Sequence, residues 1–345
     1  MPIQQFINRV SKGEDLPYEE MLQAVELVFN EETPKDEIAD FLIGLSMKGE
    51  TAQEIAALAT VMKSNAVTVP VPEGTYIDNC GTGGDGLQSF NISTTSAFVL
   101  ASAGVPVTKH GNRKISSASG SSDVLLALGI HTDFSINDSV DLLKQEGITF
   151  LYAPNVHPKL KRIGEVRRAI GKPTIFNLAG PLTNPVDLKS QIVGINRPDF
   201  VKEYAEVLNI LGRQRAIVVS GTQGMDEASL TNDNTFALLE NGKVTPFELQ
   251  IEDLGLSPVS VTALRGGNPE ENAVILKDLL SGKQSAYFDA VLLNSALGFY
   301  AYGTVGSIKD GVELARETIL SGRALAKLHS IVEFSQEILK ERVAQ

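Results

Sequence analysis

Apolar residues recur at helical spacing through the first part of the chain, up to about residue 65. After Pro17 they occur every three or four positions, which predicts an amphipathic helix. Two further helices are predicted from their starts. Thr33-Pro34-Lys35-Asp36 combines an N-cap residue, a proline at the first helical position and an acid, and Thr51-Ala52-Gln53-Glu54 is a capping box. Both starts precede apolar residues at helical spacing, so this region is predicted to be a helical domain.

The pattern changes after residue 66. Residues 67–74 contain Pro70 and Pro72, which predicts an extended linker and a candidate hinge. Short apolar runs then alternate with longer helical patterns, and Asn241-Gly242 is typical of a hairpin turn. The predicted strands are Thr75–Asp78, Val105–Thr108, Phe150–Ala153, Gln191–Ile195, Arg215–Ser220, Phe236–Leu239 and Val244–Leu249, and the clearest helices are Thr94–Ala103, Pro269–Leu280 and Asp289–Tyr300.

This order of elements predicts an α/β protein. We expect a small helical N-terminal domain over residues 1–66, a hinge linker at 67–74, and a larger α/β domain over 75–345 with a central mixed or parallel sheet.

Composition narrows the possible partners. A formal net charge of −12 argues against a nucleic-acid surface, and no apolar run reaches membrane-spanning length. The N-terminus lacks the apolar segment of a signal peptide. One cysteine, Cys80, excludes an internal disulfide framework. We therefore expect a cytoplasmic protein with no nucleic-acid or membrane partner.

A glycine-rich stretch follows the first predicted strand. Gly81, Gly83, Gly84 and Gly86 surround a single acid, Asp85. Such glycines let backbone N–H groups approach anionic oxygens, and the helix that follows adds partial positive charge at its N-terminus. The stretch lacks the Lys-Ser/Thr pair of a P-loop. It matches the dinucleotide pattern G-x-G-x-x-G, but the next strand ends in cations instead of the acid that would hold a ribose, so a phosphate site is favoured.

Those cations belong to a second polar stretch, residues 109–123. It offers positive charge, hydroxyl donors and two glycines for close backbone approach: Lys109, Arg113, Lys114, Ser116, Ser117, Ser119, Ser121, Gly111 and Gly120. The alternative is a flexible serine-rich surface loop. The position of residues 109–123 directly after a predicted strand favours a ligand site.

Five motifs in order carry a family resemblance: Gly81-Thr82-Gly83-Gly84-Asp85, Asn91-Ile92-Ser93-Thr94, Lys109-His110-Gly111-Asn112-Arg113 with Ser116-Ser117, Gly180-Pro181-Leu182-Thr183-Asn184-Pro185, and Gly224-Met225-Asp226-Glu227. With them the chain resembles the anthranilate phosphoribosyltransferases, from about Ile3 to the final helices. The resemblance implies the fold of nucleoside phosphorylases and class III phosphoribosyltransferases, a helical segment near residues 158–180 that joins the helical domain, and a homodimer. It also implies transfer of the phosphoribosyl group of 5-phosphoribosyl 1-pyrophosphate to the amine of anthranilate, in tryptophan biosynthesis.

The resemblance also implies a pair of Mg²⁺ ions, held by Ser93, Asp226 and Glu227. Displacing pyrophosphate leaves negative charge on the leaving group, and Mg²⁺ prefers a few carboxylates with phosphate oxygens and water. Adjacent acids on a loop are otherwise often merely solvated.

The resemblance also implies which residues contact the substrates. Lys109, Asn112 and Arg167 are the expected catalytic residues. The anthranilate carboxylate calls for an arginine. Arg167 and Arg168 are both candidates, and the resemblance selects Arg167, with Gly81 and Asn112 completing the pocket. His110 and His157 are candidates for the same pocket, and the alternative for each is a structural histidine. The predicted substrate-binding residues are Gly81, Gly84, Asp85, Ser89, Asn91, Ile92, Ser93, Thr94, Lys109, His110, Gly111, Asn112, Arg113, Lys114, Ile115, Ser116, Ser117, Ser121, His157 and Arg167.

Two alternatives remain open. Pyrimidine nucleoside phosphorylases have a similar Gly-Thr-Gly-Gly loop, but their pattern continues with a non-acid and Lys-Val-Ser, so Asp85 and Asn91–Thr94 favour the transferase. A related protein that binds nucleic acid is opposed by the net charge of −12 and by the intact Asp226-Glu227 pair.

Overall fold

The computed structural model describes residues 2–112 and 119–344. The first four helices bury their apolar faces against one another: α1 (Gln4–Val10), α2 (Tyr18–Phe29), α3 (Lys35–Lys48) and α4 (Ala52–Ser64). The predicted capping box is confirmed, because Glu54 N donates to Thr51 Oγ1 at 3.3 Å and Thr51 N donates to Glu54 Oε2 at 2.9 Å. The predicted cap at Thr33 is wrong. Its hydroxyl donates to Leu27 O at 2.6 Å, and α3 begins at Lys35 after Pro34.

Seven strands in the described residues form one mixed sheet in the order β3-β2-β1-β4-β5-β6-β7. β1 to β5 are parallel, and β6 and β7 form an antiparallel hairpin on one edge. Asn241 and Gly242 both have positive φ, which confirms the predicted turn. The strands are β1 (Ile77–Asp78), β2 (Val107–Gly111), β3 (Ile148–Tyr152), β4 (Ser190–Gly194), β5 (Arg215–Ser220), β6 (Thr235–Glu240) and β7 (Lys243–Phe247).

The sequence placed the end of β2 too early. Lys109 and His110 were expected in a loop, yet they pair with Phe150 and Leu151 of β3 inside the sheet. Both side chains are buried, so the carboxyl end of the strand carries polar groups into the interior. Polar residues in a buried strand break the apolar pattern on which strand prediction depends.

The remaining helices cover both faces of the sheet. On β5, Ile217 and Val219 pack into one core with α5 and α13, whereas Ala216 and Val218 pack into the core shared with the helical domain. A strand buried on both faces produces this continuous apolar run. The helices are α5 (Ile92–Ser102), α6 (Ser121–Ala127), α7 (Ile136–Glu146), α8 (Ala153–Val156), α9 (Leu160–Ile170), α10 (Ile175–Ala179), α11 (Val201–Ile210), α12 (Pro269–Leu280), α13 (Ala286–Tyr302), α14 (Ile308–Leu320) and α15 (Arg323–Ala344), with 3-10 turns at Gly180–Leu182, Pro198–Phe200, Thr222–Gly224, Glu252–Leu254 and Val261–Leu264.

The segment between α4 and β1 lies against the α/β domain. Val67 N donates to Val156 O at 2.8 Å, and Val69 is buried with Leu151 and Val186. Helices α9 and α10 pack on α3 and α4, and the Lys35 ammonium lies 2.7 Å from a Glu165 carboxylate oxygen. No helix in the described part of the chain is long and apolar enough to cross a membrane.

Candidate active site

The glycine-rich loop turns over the carboxyl edge of the sheet. Gly83, Gly84 and Gly86 have φ values of +69°, +84° and +72°, a region that favours glycine. Gly83 N donates to Asp226 Oδ2 at 2.6 Å. A Cβ at Gly81 would lie 2.3 Å from that same oxygen, so only a glycine lets the loop approach the acid this closely.

The acidic pair follows β5 and faces the start of α5. Ser93 N donates to Glu227 Oε1 at 2.9 Å, and Ser89 Oγ lies 3.4 Å from Glu227 Oε2. Burial in the cleft, together with the neighbouring Asp85 carboxylate, raises the pKa of Asp226 to about 7. Burial and the charge of Asp226 raise the pKa of Glu227 well above its usual value. Among the described residues no Lys or Arg forms an ion pair with these three acids, and Lys109 acts on Glu227 only from beyond ion-pair distance.

A buried polar network supports the next strand ends. Lys109 Nζ donates to Asn79 Oδ1 at 3.1 Å, and Asn79 Nδ2 donates to Ser93 O at 2.8 Å. The Asn184 amide donates to Asp78 Oδ2 at 2.9 Å and to Thr108 O at 2.6 Å. The 180–185 motif therefore ties β1 to β2 beneath the cleft, where Lys109 presents its charge.

Arg167 lies at the other end of the cleft, on α9. Its Nη2 donates to Asn177 Oδ1 at 3.0 Å, and its guanidinium lies 5.5 Å from the centre of the Phe176 ring. Burial lowers the pKa of this arginine, and no acid among the described residues pairs with it. A guanidinium oriented by its neighbours but lacking a carboxylate partner suits a carboxylate ligand.

Two histidines form part of the wall nearby. The rings of His110 and His157 are 5.2 Å apart, edge to face. Burial lowers the pKa of His110 to about 3 and that of His157 to about 4, so both are neutral at pH 7. Each ring bonds to a backbone carbonyl, of Gly180 and Thr183 respectively, and each Nε2 is buried without a partner among the described residues.

The glycine-rich loop, the acidic cluster, Lys109, Arg167 and the two histidines line one cleft of about 340 Å³ between the helical and α/β domains. Most of the predicted site residues lie on its wall: Gly81, Gly84, Asp85, Ser89, Asn91, Ser93, Thr94, Lys109, His110, Gly111, Asn112, Ser121, His157, Arg167, Asp226 and Glu227. Ile92 does not, because its side chain is fully buried in the core. Arg113, Lys114, Ile115, Ser116 and Ser117 fall outside the described residues.

Several residues of the site were not predicted from sequence. Phe176 and Asn177 orient Arg167, and Met62 brings the helical domain to the cleft wall. Asn272 is buried on α12; its Nδ2 donates to Asn91 Oδ1 at 2.9 Å, while Asn91 Nδ2 donates to Ser119 O at 3.3 Å. These residues belong to distant segments and match no local motif, so the folded chain alone reveals their role.

The acidic cluster by itself is not a complete metal site among the described residues. No group of three or more His, Cys, Asp or Glu side chains among residues 2–112 and 119–344 has the arrangement of a complete metal site. Mg²⁺, however, commonly takes one or two carboxylates and completes its shell with substrate phosphate and water. The donor set fits that kind of ion, as does the lack of an ion pair at these acids among the described residues.

Comparison with known proteins follows the same division of the chain. The pattern of the glycosyl transferase family, helical bundle domain, matches residues 4–66, and that of the glycosyl transferase family, a/b domain, matches residues 73–325. The fold and its cleft therefore define a glycosyl transferase with an N-terminal helical bundle.

Relatives narrow this class. An anthranilate phosphoribosyltransferase of Listeria monocytogenes serotype 4a (strain HCC23) is 50% identical over 333 residues, covering 96% of this chain and 98% of that protein. One from Streptococcus gordonii (strain Challis) is 46% identical over 334 residues, covering 97% and 100%. The chain belongs to the anthranilate phosphoribosyltransferase family.

Solved structures agree in fold. The crystal structure of anthranilate phosphoribosyltransferase from Thermus thermophilus superposes with a TM-score of 0.90 at 38% identity, covering 96% of this chain and 99% of that one. The Saccharomyces cerevisiae enzyme in complex with PRPP and Mg has a TM-score of 0.87 at 27% identity, covering 97% and 98%. The predicted fold class and family are confirmed.

Proposed function

We propose that this chain transfers the phosphoribosyl group of 5-phosphoribosyl 1-pyrophosphate to anthranilate within the cleft described above. One observation carries the assignment: a single cleft joins a glycine-rich loop and an acidic cluster at one end to an arginine at the other that pairs with no acid in the described part of the chain. The first end suits a pyrophosphate with its cations, and the second suits an aromatic carboxylate. The relatives that share this fold are named for the same reaction.

The donor is assigned to the carboxyl edge of the sheet. Backbone N–H groups of Gly84–Gly86 and the N-terminus of α5 would hold phosphate oxygens, while the N–H groups of Thr82 and Gly83 bond within the protein. Asp226 and Glu227, with Ser93, would hold Mg²⁺, which when bound neutralises charge on the pyrophosphate. A complex of the yeast relative contains both PRPP and Mg, which supports this arrangement. Lys109 is fixed by Asn79 and adds positive charge close to the acids.

The acceptor is assigned to Arg167. Its guanidinium would pair with the anthranilate carboxylate and so direct the amine towards the donor. The amine nitrogen forms a bond to C1′, the bond from C1′ to pyrophosphate oxygen breaks with its electron pair, and the amine loses a proton. An arylamine is already nucleophilic when neutral, so positioning and charge stabilisation carry the rate. The unpartnered Nε2 atoms of His110 and His157 can accept hydrogen bonds from the amine.

Anthranilate fluorescence tests this proposal directly. The chain contains no Trp, so its own emission interferes little. With the donor and Mg²⁺ present, we expect fluorescence to fall while pyrophosphate appears in equal amount, and expect neither change without Mg²⁺. The chain would have this fold and another function if it left the anthranilate fluorescence unchanged but cleaved a pyrimidine nucleoside with phosphate, or bound DNA at low salt.

A homodimer formed through the helical domain is also proposed. On α3, Met47 is 84% exposed and Ile43 is 39% exposed, one turn apart on the same side of the helix. Light scattering of Met47→Glu should show a monomer, whereas the control Leu320→Glu, at an exposed position on α14, should remain dimeric. A dimeric Met47→Glu protein would contradict the proposed interface.

We further propose a cytoplasmic location. The single cysteine, Cys80, supports it, because a chain that makes no internal disulfide needs no oxidising compartment. Fractionation of producing cells, with the chain detected by antibody, checks this; recovery outside the cytoplasmic fraction would contradict it.

A further inference from the structure

A second cavity lies between the helical domain and the α/β domain. It is an open groove of about 550 Å³ that shares no lining residue with the cleft. The C-terminal half of α4 forms one side, and the turn after α11 forms the other. The function proposed above makes no use of it.

Arg213 is the unusual residue of this groove. It is only 4% exposed, and its Nε donates to Gln191 Oε1 at 3.0 Å. Its Nη2 is buried and has no hydrogen-bond partner among the described residues. Asp187 and Asp78 act on the guanidinium only from beyond ion-pair distance, and burial lowers the pKa of Arg213 to about 10. A buried guanidinium nitrogen without an acceptor is costly, and a bound anion would remove that cost.

Lys63 supplies a second charge from the facing helix. Its Nζ lies 3.4 Å from Asp187 Oδ1, while Asp187 Oδ2 is taken by Lys189 at 2.8 Å. Burial and the charge of Arg213 lower the pKa of Lys63. Lys63 and Lys189 therefore share the Asp187 carboxylate, and Arg213 has no carboxylate within ion-pair distance among the described residues.

The groove is apolar around these charges. Leu182, Leu211 and Ala59 line it, and Ile210 on its rim is 44% exposed. An inorganic anion would leave those surfaces wet, whereas an anion with an apolar body would cover them. We propose that the groove binds a small carboxylate with an apolar body, its carboxylate held by Arg213 and Lys63.

A ligand in this groove would contact both domains. Lys63 belongs to the helical domain, and Arg213 belongs to the α/β domain. A carboxylate held by both residues joins the two domains at a point outside the cleft, so its binding is coupled to their relative position.

Benzoate is the probe, titrated calorimetrically into the full-length protein. Arg167→Ala is titrated in parallel, because benzoate binding that remains without the acceptor arginine belongs to the groove and not to the acceptor pocket. We expect wild type to bind benzoate at millimolar concentration. Lys63→Gln and Arg213→Met should each weaken binding by about tenfold or more, the effect of losing one charge-assisted hydrogen bond. Inorganic phosphate should bind more weakly than benzoate.

Lys189→Gln is the matched control. It removes a positive charge from the same Asp187 cluster, but Lys189 does not line the groove. This variant should bind benzoate within about twofold of wild type, since an exposed charge contributes little. Absence of binding to wild type overturns the proposal, as does unchanged affinity in Lys63→Gln. The lysine lies at the groove surface, so its substitution tests the site even if Arg213→Met fails to fold.

Discussion

The backbone amide of Gly83 donates a hydrogen bond of 2.6 Å to Oδ2 of Asp226, residues 143 positions apart in the chain. This bond joins the loop assigned to pyrophosphate to the acid assigned to Mg²⁺. A Cβ at the nearby Gly81 would meet the same oxygen at 2.3 Å and the carbonyl oxygen of Asp226 at 2.7 Å. The glycine-rich loop therefore has to accommodate the acid assigned to Mg²⁺ as well as the pyrophosphate assigned to the loop.

Gly81→Ala tests this contact. The added methyl group must displace Asp226, so we expect kcat/KM to fall by about tenfold or more, which corresponds to about 1.4 kcal/mol of transition-state stabilisation. Gly306→Ala is the control, because a Cβ there meets no atom within 4 Å and the residue lies in a turn before α14. The measurement is kcat/KM of both variants by steady-state kinetics. Equal kcat/KM in Gly81→Ala and Gly306→Ala would show that Asp226 need not stay in place.

Replacing both acids tests the metal site. Asp226→Asn with Glu227→Gln should raise the Mg²⁺ concentration for half-maximal activity by about tenfold or more, since charged ligand contacts are lost. Their raised pKa values mean that ionised acids destabilise the unliganded cleft, so this variant should melt no lower than wild type without Mg²⁺. Asp233→Asn, an exposed acid after the same strand, is the control. A wild-type metal titration in the double variant would refute the site.

Arg167→Ala should act on the acceptor. Loss of a charge-assisted pair should raise the KM for anthranilate by about tenfold to a hundredfold, with a smaller effect on the donor KM. The neighbouring Arg168 is exposed on the same helix, and Arg168→Ala should leave both constants near wild type. A change confined to the phosphoribosyl donor would contradict the assignment.

The cleft histidines predict a pH dependence of stability. Their folded-state pKa values of about 3 and 4 lie below the ordinary 6.5, so the unfolded chain takes up these protons first. Their contribution is fully present above pH 6.5 and is lost as the pH falls towards 4. His157→Gln should remove about 3 kcal/mol of that acid-induced loss at pH 4.

Urea unfolding of that variant between pH 4 and 6.5 provides the measurement. His329→Gln, an exposed histidine on α15, should retain the wild-type pH profile. If His157→Gln also follows the wild-type profile, His157 is not held neutral by burial.

The linker at residues 67–74 remains a proposed hinge. Its first half is bound to the α/β domain through Val67 and Val69, so the freedom needed for closure must lie in its second half. Deleting the exposed Glu73 and Gly74 should lower kcat by about tenfold, because the proposed hinge motion would close the cleft over its substrates. Substituting both with serine keeps the length and is the control. Unchanged kcat and KM in a deletion variant of normal melting temperature would show that the linker is not a hinge.

Local sequence determined most of the elements and the motifs of the site. Strand β5 was predicted with its observed bounds, because every residue from Ala216 to Ser220 is buried and the run is short. The capping box at Thr51 and the hairpin at Asn241-Gly242 depend on neighbouring residues only, and both were predicted correctly. The glycine-rich loop and the Asp226-Glu227 pair were recognisable for the same reason, since the residues of each motif are neighbours in the sequence.

Tertiary structure decided which distant residues contact those motifs. It extended β2 through Lys109 and His110, because pairing with β3 outweighs their polarity. It placed Phe176 and Asn177 beside Arg167, buried Ile92 in the core, and set Asn272 against Asn91. It also brought Arg213 to the groove that Lys63 lines from another domain. A periodic pattern reports which face of an element is buried but not which distant residue covers it, and those contacts form only when the whole chain folds.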